Sequence, residues 1–489
     1  MNKKNINYIL KYRNNRSINA EHNCIKLCKF VNNISNNEFL LVTYKKLETI
    51  FKIPEKDLLY DFKKTLLSYF NFTKGKFNKN LKLRYLFFDL VSLLIFLIWY
   101  KIFSKKINTK TKRKIFFDEL DNCEHLKYLK KINYYFKNDS IFHINKINPR
   151  FDKKNLKIFS FKKFCIYDSN TLNGNFFNLI KTILYILQIS IKSGVNLFAI
   201  FNFLIFRIFK YEKIFKENKS QFYFSFKFYN SSSIKNFIFK KYGGKKVSYF
   251  QKNLAEMSIC FFIKTDILFS LGKGTTHNIK KLGSVIKKII PIGSLFLENN
   301  LNQVKKNLKN KIDICNIGIN WAHRNHTSNI DNKIDENYYK HIKWLKKISL
   351  EFPDLKILIK HHQNYRGDKK EINILKGSSI DIIYDEKNKN TYQYLEDSKL
   401  ITSFGSTMII ESKSLRKESF FLDPNKENQS YFKFLKNSNQ LRISSYIKFK
   451  NLVRKYLIIG KKNKIKNLNN FCLNSSNVSK KIYRNLISN

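Results

Sequence analysis

The sequence predicts an α/β protein with a doubly wound C-terminal half, an N-terminal half built on its own parallel sheet, and a helical, basic segment ahead of both. Three observations predict it. From about residue 310 to 440, short apolar runs alternate with amphipathic helical patterns. Between about 112 and 298, strand-like runs are separated by Gly-rich turns. Over the first 110 residues the apolar positions follow helical spacing alone.

In that first segment, Pro54-Glu55-Lys56-Asp57 reads as a helix start, followed by Leu58, Leu59, Phe62, Leu66 and Leu67 on one face. The stretch 86–103 (LFFDLVSLLIFLIWYKIF) is the most apolar, but Asp89 and Lys101 leave only about eleven residues between them, short of a bilayer span. A second run, 195–209 (VNLFAIFNFLIFRIF), has the same character. Both read as buried helices whose basic flanks suit docking into an acidic leaflet. Asn108–Arg113 (NTKTKR) is expected to be a linker.

In the second segment, Phe222–Phe228 alternates as a strand, and Lys245–Phe250 follows the turn Gly243-Gly244. Asp266–Ser270 ends in the loop LGKGTTH, from which a short helix, LGSVIKKI, leads to a strand at Ile289–Ile292. The third segment is clearer. Strands are expected at Lys311–Ile319, Leu355–Ile359, Ile380–Tyr384, Leu400–Ser403 and Phe420–Asp423, with a long helix over Asp335–Phe352 and a short one in TYQYLEDS. The expected boundaries are 1–110, 111–298, 299–470 and a tail at 471–489.

The composition, 43% hydrophobic and 16% aromatic, is that of a folded chain. With 93 basic and 36 acidic residues the formal charge is +57, which suits an anionic glycan or a membrane surface. The lysines are spread throughout, as AT-rich coding alone would produce, and no RNP-like or zinc-finger pattern accompanies them, so no nucleic acid partner is expected. Seven scattered cysteines read as reduced thiols. The N-terminus lacks the apolar run and cleavage site of a signal peptide, and a cytoplasmic protein visiting the inner face of a membrane is expected.

The chemistry centres on Ser403-Phe404-Gly405-Ser406-Thr407. A strand ends, Gly405 permits a tight turn, and Ser406 is a good N-cap for a helix whose first N–H groups and dipole attract an anion. One turn on, Glu411 leans toward the helix start, where it could meet a ribose hydroxyl. His361 and His362 end a neighbouring strand, where an imidazole can donate to a departing diphosphate. His323, Arg324 and His326 lie in the loop after the first strand of this half, candidates for donor or acceptor phosphate. Lys273 and His277 in the GKGTTH loop are further candidates, although the full P-loop spacing is absent. No Asp-X-Asp ends a strand and no metal triad emerges, so no metal or other cofactor is expected.

Residues 399–424 (KLITSFGSTMIIESKSLRKESFFLDP) resemble the donor-binding stretch of GT-B glycosyltransferases, above all surface and capsular polysaccharide biosynthesis proteins and, more distantly, CDP-glycerol glycerophosphotransferases. The resemblance covers about 310–440 well and 240–298 loosely. It implies two Rossmann-like halves facing across a cleft, a nucleotide-sugar donor on the C-terminal half and an anionic or lipid-linked glycan acceptor on the N-terminal half. Ser406 and Thr407 would hold the donor phosphates, with Gly405 and His361 beside them, and Glu411 the ribose. His362 aligns with the family's catalytic His before a Pro, here replaced by Gln363. Gln251 matches the first residue of the family's Gln-His-Gly, but Lys252 and Asn253 replace the other two, so the acceptor-activating His is missing. Polyol-phosphate transfer, and a non-enzymatic basic protein that binds RNA or membrane, are the alternative readings.

Overall fold

The structure is a computed structural model. It describes residues 24–72, 83–120, 123–144, 158–160, 166–172, 174–193, 196–228, 231–251, 261–276, 279–301, 304, 312–318, 332–361, 369–384, 391–426, 435–460 and 468–488. The first segment is helical as expected: α1 (Cys24–Ser35), α2 (Glu38–Phe51), α3 (Glu55–Phe72) and α4 (Leu83–Phe103). Asn37 caps α2 by accepting from the Phe39 N–H at 3.1 Å, and Lys52 closes it in the left-handed region. Pro54 stops the chain from continuing α2, and Glu55 and Asp57 place negative charge in the first turn of α3.

The N-terminal half comprises β1 (Thr111–Leu120), α5 (Cys123–Tyr135), β2 (Ser140–Ile144), β3 (Ile158–Ser160), α6 (Phe176–Ser193), α7 (Leu197–Glu217), β4 (Asn218–Ser225), α8 (Ser233–Lys241), β5 (Lys246–Phe250), β6 (Lys264–Ser270) and β7 (Val285–Pro291). The C-terminal half follows with α9 (Leu295–Leu301), β8 (Ile312–Ile317), α10 (Asn332–Glu351), β9 (Ile357–Lys360), α11 (Lys369–Leu375), β10 (Asp381–Ile383), α12 (Thr391–Glu396), β11 (Ser398–Ser403), α13 (Met408–Ser414), β12 (Glu418–Leu422), β13 (Arg442–Ile443) and α14 (Tyr446–Val453). A last helix, α15 (Val478–Ile487), ends the described chain.

The strands form two sheets, ordered β3-β2-β1-β4-β5-β6-β7 and β10-β9-β8-β11-β12-β13, and every pairing between them is parallel. Each sheet reverses direction once, between β1 and β4 and between β8 and β11, which is the doubly wound dinucleotide-fold order with its two switch points. The molecule is a GT-B-like α/β protein of two Rossmann-like halves.

Three local expectations are corrected. Thr111–Arg113, read as linker, begins β1 and pairs with Asn218–Ser220 of β4. Most of LGSVIKKI, read as a helix, is β7: Gly283 turns the chain at φ 80°, and β-branched Val285, Ile286, Ile289 and Ile290 extend along β6. Within the expected tail at 471–489, residues 471–488 cross back to the N-terminal half. There α15 packs on α5, with the Tyr483 ring 5.0 Å from that of Phe136.

Three cores hold the layers. One face of the N-terminal sheet, with Phe116, Tyr223 and Tyr249, meets Tyr44, Phe62, Phe201 and Phe209 of the helices. Its other face, with Phe117, Phe224 and Phe269, shares a continuous core with Ile401, Ile409 and Phe421 of the C-terminal half and Phe471, Cys472 and Ile482 of the returning segment. The far face of the second sheet packs Ile314, Ile359 and Leu422 against Tyr338, Ile342 and Leu345 of α10. Each buried phenyl ring stabilises by about 1.5–3 kcal/mol, so the shared core fixes the two halves to each other.

Candidate functional site

The switch point of the C-terminal sheet lies between the carboxyl ends of β8 and β11, where ligands of doubly wound sheets bind. The Ser403 hydroxyl ties the two ends together by donating to the Ile317 carbonyl at 2.7 Å, and it accepts from the Gly405 N–H at 3.2 Å. Gly405, Ser406 and Thr407 then run half-exposed into α13. The helix begins one residue later than the sequence suggests, with Thr407 at the N-cap position. Ser406 still serves it, accepting from the Met408 N–H at 3.3 Å. The Ile409 and Ile410 N–H groups bond back to the Ser406 and Thr407 carbonyls. The first turn is therefore internally bonded, and its N–H groups already have partners within the helix start.

Glu411 faces the other half. It is 3% exposed, accepts from the Ser294 hydroxyl at 2.5 Å, and accepts from the Tyr392 hydroxyl at 3.1 Å. Burial pushes its carboxyl above the usual range, against the pull of the two hydroxyls. Ser294 follows β7, so this contact joins the halves directly at the foot of the candidate site.

His361 is also buried. Its Nε2 lies 2.9 Å from Glu371 Oε1, Tyr338 donates to the other oxygen of Glu371 at 3.0 Å, and Tyr384 stacks on the ring at 5.2 Å. Gly318, at the end of β8, is small for this reason: a Cβ there would stand 2.9 Å from His361 Nδ1. Beside it His341 of α10 sits 2.9 Å from Asn316 Oδ1, which also accepts from Thr402. Burial, with His361 nearby, pushes the His341 imidazole down to about 3, so it stays neutral. The sequence reading passed over His341, although its spacing from Tyr338, Ile342 and Leu345 placed it on the buried face of α10. His362, His277, His323, Arg324 and His326 lie outside the described residues.

On the N-terminal side, both ends of the Gln251 amide are turned to Thr275, which donates to its Oε1 at 2.8 Å while its Nε2 donates to the Thr275 carbonyl at 3.2 Å. The loop 272–274 is a docking strip for the returning segment. The Lys273 and Gly274 N–H groups donate to the carbonyls of Asn469 and Asn470 at 3.0 and 2.8 Å, while the Lys273 side chain stays exposed. The glycines that suggested a phosphate loop are needed for this close approach: a Cβ on Gly272 would lie 2.5 Å from the Phe471 carbonyl oxygen.

A second buried polar cluster fills the N-terminal switch region. Asp118 of β1 contacts His143 and Tyr223, and accepts from Lys235 of α8 at 2.9 Å. Despite burial, Lys235 and then His143 hold its carboxyl far below the usual range. Lys235 is itself fully buried, with its ammonium 5.2 Å from the Tyr223 ring centre.

No family model matches the chain, and the search of curated proteins found no match. Among solved structures, the chain is similar to a UDP-GlcNAc 2-epimerase from Neisseria meningitidis bound to UDP-GlcNAc (11% identity, 78% of this chain and 100% of that one, TM-score 0.47). It is also similar to MurG from Acinetobacter baumannii (9%, 77% and 99%, TM-score 0.37). A third likeness is to the wall teichoic acid polymerase TagF (11%, 82% and 96%, TM-score 0.39). The two-half architecture follows from the strand order of the two parallel sheets.

Proposed function

We propose that the chain transfers a sugar, or a sugar-like group, from a nucleotide-activated donor to a surface polysaccharide or lipid-linked glycan. One observation carries the reading: the Gly405-Ser406-Thr407 turn lies at the switch point of a doubly wound sheet, with Glu411 on the helix it opens. The hydroxyls of Ser406 and Thr407 receive the donor diphosphate, and Glu411 exchanges Ser294 for a ribose hydroxyl as the donor enters. His361, held by Glu371, positions the end of β9. His362, next in the chain, offsets the charge of the departing diphosphate. The acceptor enters from the N-terminal half, and no metal takes part.

Thermal shift with UDP-, CMP- and CDP-linked donors tests this. At least one donor is expected to stabilise the protein, and the S406A/T407A variant to lose that stabilisation. Stabilisation by CDP-linked polyols alone would move the reading to polyol-phosphate transfer. A melting temperature that no nucleotide changes, with steeply salt-dependent binding to RNA, would overturn it in favour of a non-enzymatic role.

A further inference from the structure

Helix α4 is apolar on all sides, yet the fold buries only one of them. Leu86, Leu93, Phe96, Leu97 and Tyr100 enter the core shared with α7 and the N-terminal sheet. Opposite them Phe87, Phe88, Leu94, Ile95, Ile98 and Ile102 stand 40–65% exposed. At 3.6 residues per turn these six occupy about one third of the helix circumference. The helix has one acid, Asp89, and α7 holds it: Asn196 donates to its carboxylate at 3.0 Å and Asn202 to its backbone carbonyl at 3.2 Å. At the other end Lys101, Lys105 and Lys106 are exposed, beside Trp99 and Phe103, whose rings lie 4.2 Å apart. Helix α6 starts at the same end, with Lys101 Nζ 5.5 Å from the Phe176 ring, and exposes Phe177, Leu184 and Ile191 at seven-residue spacing.

We propose that this face of α4, extended by α6, lies in the plane of an anionic lipid leaflet, its apolar residues at the headgroup–acyl boundary and its lysines among the headgroups. An apolar face ending in lysines and paired aromatic rings matches that boundary in both polarity and charge. A spanning orientation would pull Leu93, Phe96 and Leu97 out of the core. A second copy of the chain fits poorly, because each copy carries +57. The other apolar stretch has no such face: Leu204, Ile205, Ile208 and Phe209 of α7 are buried. Delivery of a lipid-linked acceptor by this contact rests on the transfer proposed above, whereas the contact itself does not.

Co-sedimentation of the full chain with vesicles tests it. One set is phosphatidylcholine alone and the other carries phosphatidylglycerol at about one lipid in three. The protein is expected to pellet with the anionic vesicles, and I98D/I102D to lose about tenfold or more of that binding while keeping the parent's melting temperature. K101Q/K105Q/K106Q is expected to lose binding in the anionic set. A parent that stays in the supernatant with both sets would overturn the proposal. So would an I98D/I102D protein that binds like the parent, or light scattering that shows a dimer which I98D/I102D splits. Nucleotide stabilisation measured without lipid is expected to be the same in parent and I98D/I102D. A failed vesicle test therefore leaves the transfer reading untouched, and a failed nucleotide test leaves the vesicle result standing.

Discussion

The Glu411 carboxylate on the C-terminal half accepts a hydrogen bond from the Ser294 hydroxyl on the N-terminal half at 2.5 Å. This contact joins the two halves one helical turn from Ser406 and Thr407.

Because burial raises the Glu411 carboxyl above its usual value, the folded state binds its proton more tightly than the unfolded chain does. The group's effect on stability therefore declines as pH rises from about 4.5 through the raised value. Glu411→Gln is expected to flatten that decline and to melt at or above the parent near neutral pH. Glu411→Ala, which strands the Ser294 and Tyr392 hydroxyls, is expected to lose about 1–3 kcal/mol. Urea unfolding across that pH range measures both, and a Glu411→Gln profile parallel to the parent's would refute the first.

Asp118 shows the opposite sign. Its carboxyl is held far below the ordinary value, so its stabilisation is present above about pH 3.8 and lost as pH falls below it. Lys235→Met removes the charge partner from a buried carboxylate and is expected to cost about 3–5 kcal/mol. D118N/K235M is expected to recover part of that loss, and to lose less stability in acid than the parent. Additive single-variant effects in a double-mutant cycle would show that the two residues are not coupled.

Gly272 tests the returning segment. A methyl group there meets the Phe471 carbonyl at 2.5 Å. Gly272→Ala is expected to cost on the order of 1–3 kcal/mol and to loosen residues 468–488. Limited trypsin digestion should then cut at Lys480, Lys481 or Arg484 before the rest of the chain. Parent-like melting and digestion would show that the strip tolerates the methyl group.

Much of the C-terminal half was legible from local pattern. The run from Leu400 to Ser403, the turn at Gly405 and the strand at Phe420 are each specified by a few neighbouring residues, and the structure places β11, α13 and β12 there. The N-terminal half was less so. Polar Thr111, Lys112 and Arg113 look like linker because their strand character comes from pairing with β4, more than 100 residues away. Val285–Ile290 carries both helical and strand signals, and the neighbouring β6 decides between them.

At the candidate site the same division holds. Turn and helix geometry act over a few residues, so short spacing marks a helix start at Ser406-Thr407 with Glu411 one turn on, while their reading as a donor site comes from the resemblance of residues 399–424. Only the tertiary structure could show that the carboxylate of Glu411 meets Ser294, that His361 belongs to Glu371, and that the glycines of 272–274 admit the returning chain rather than a phosphate. Each of those contacts joins residues far apart in sequence or separated by a crossover. Backbone preference does not reach that far, and the packing of the shared core decides which side chains meet.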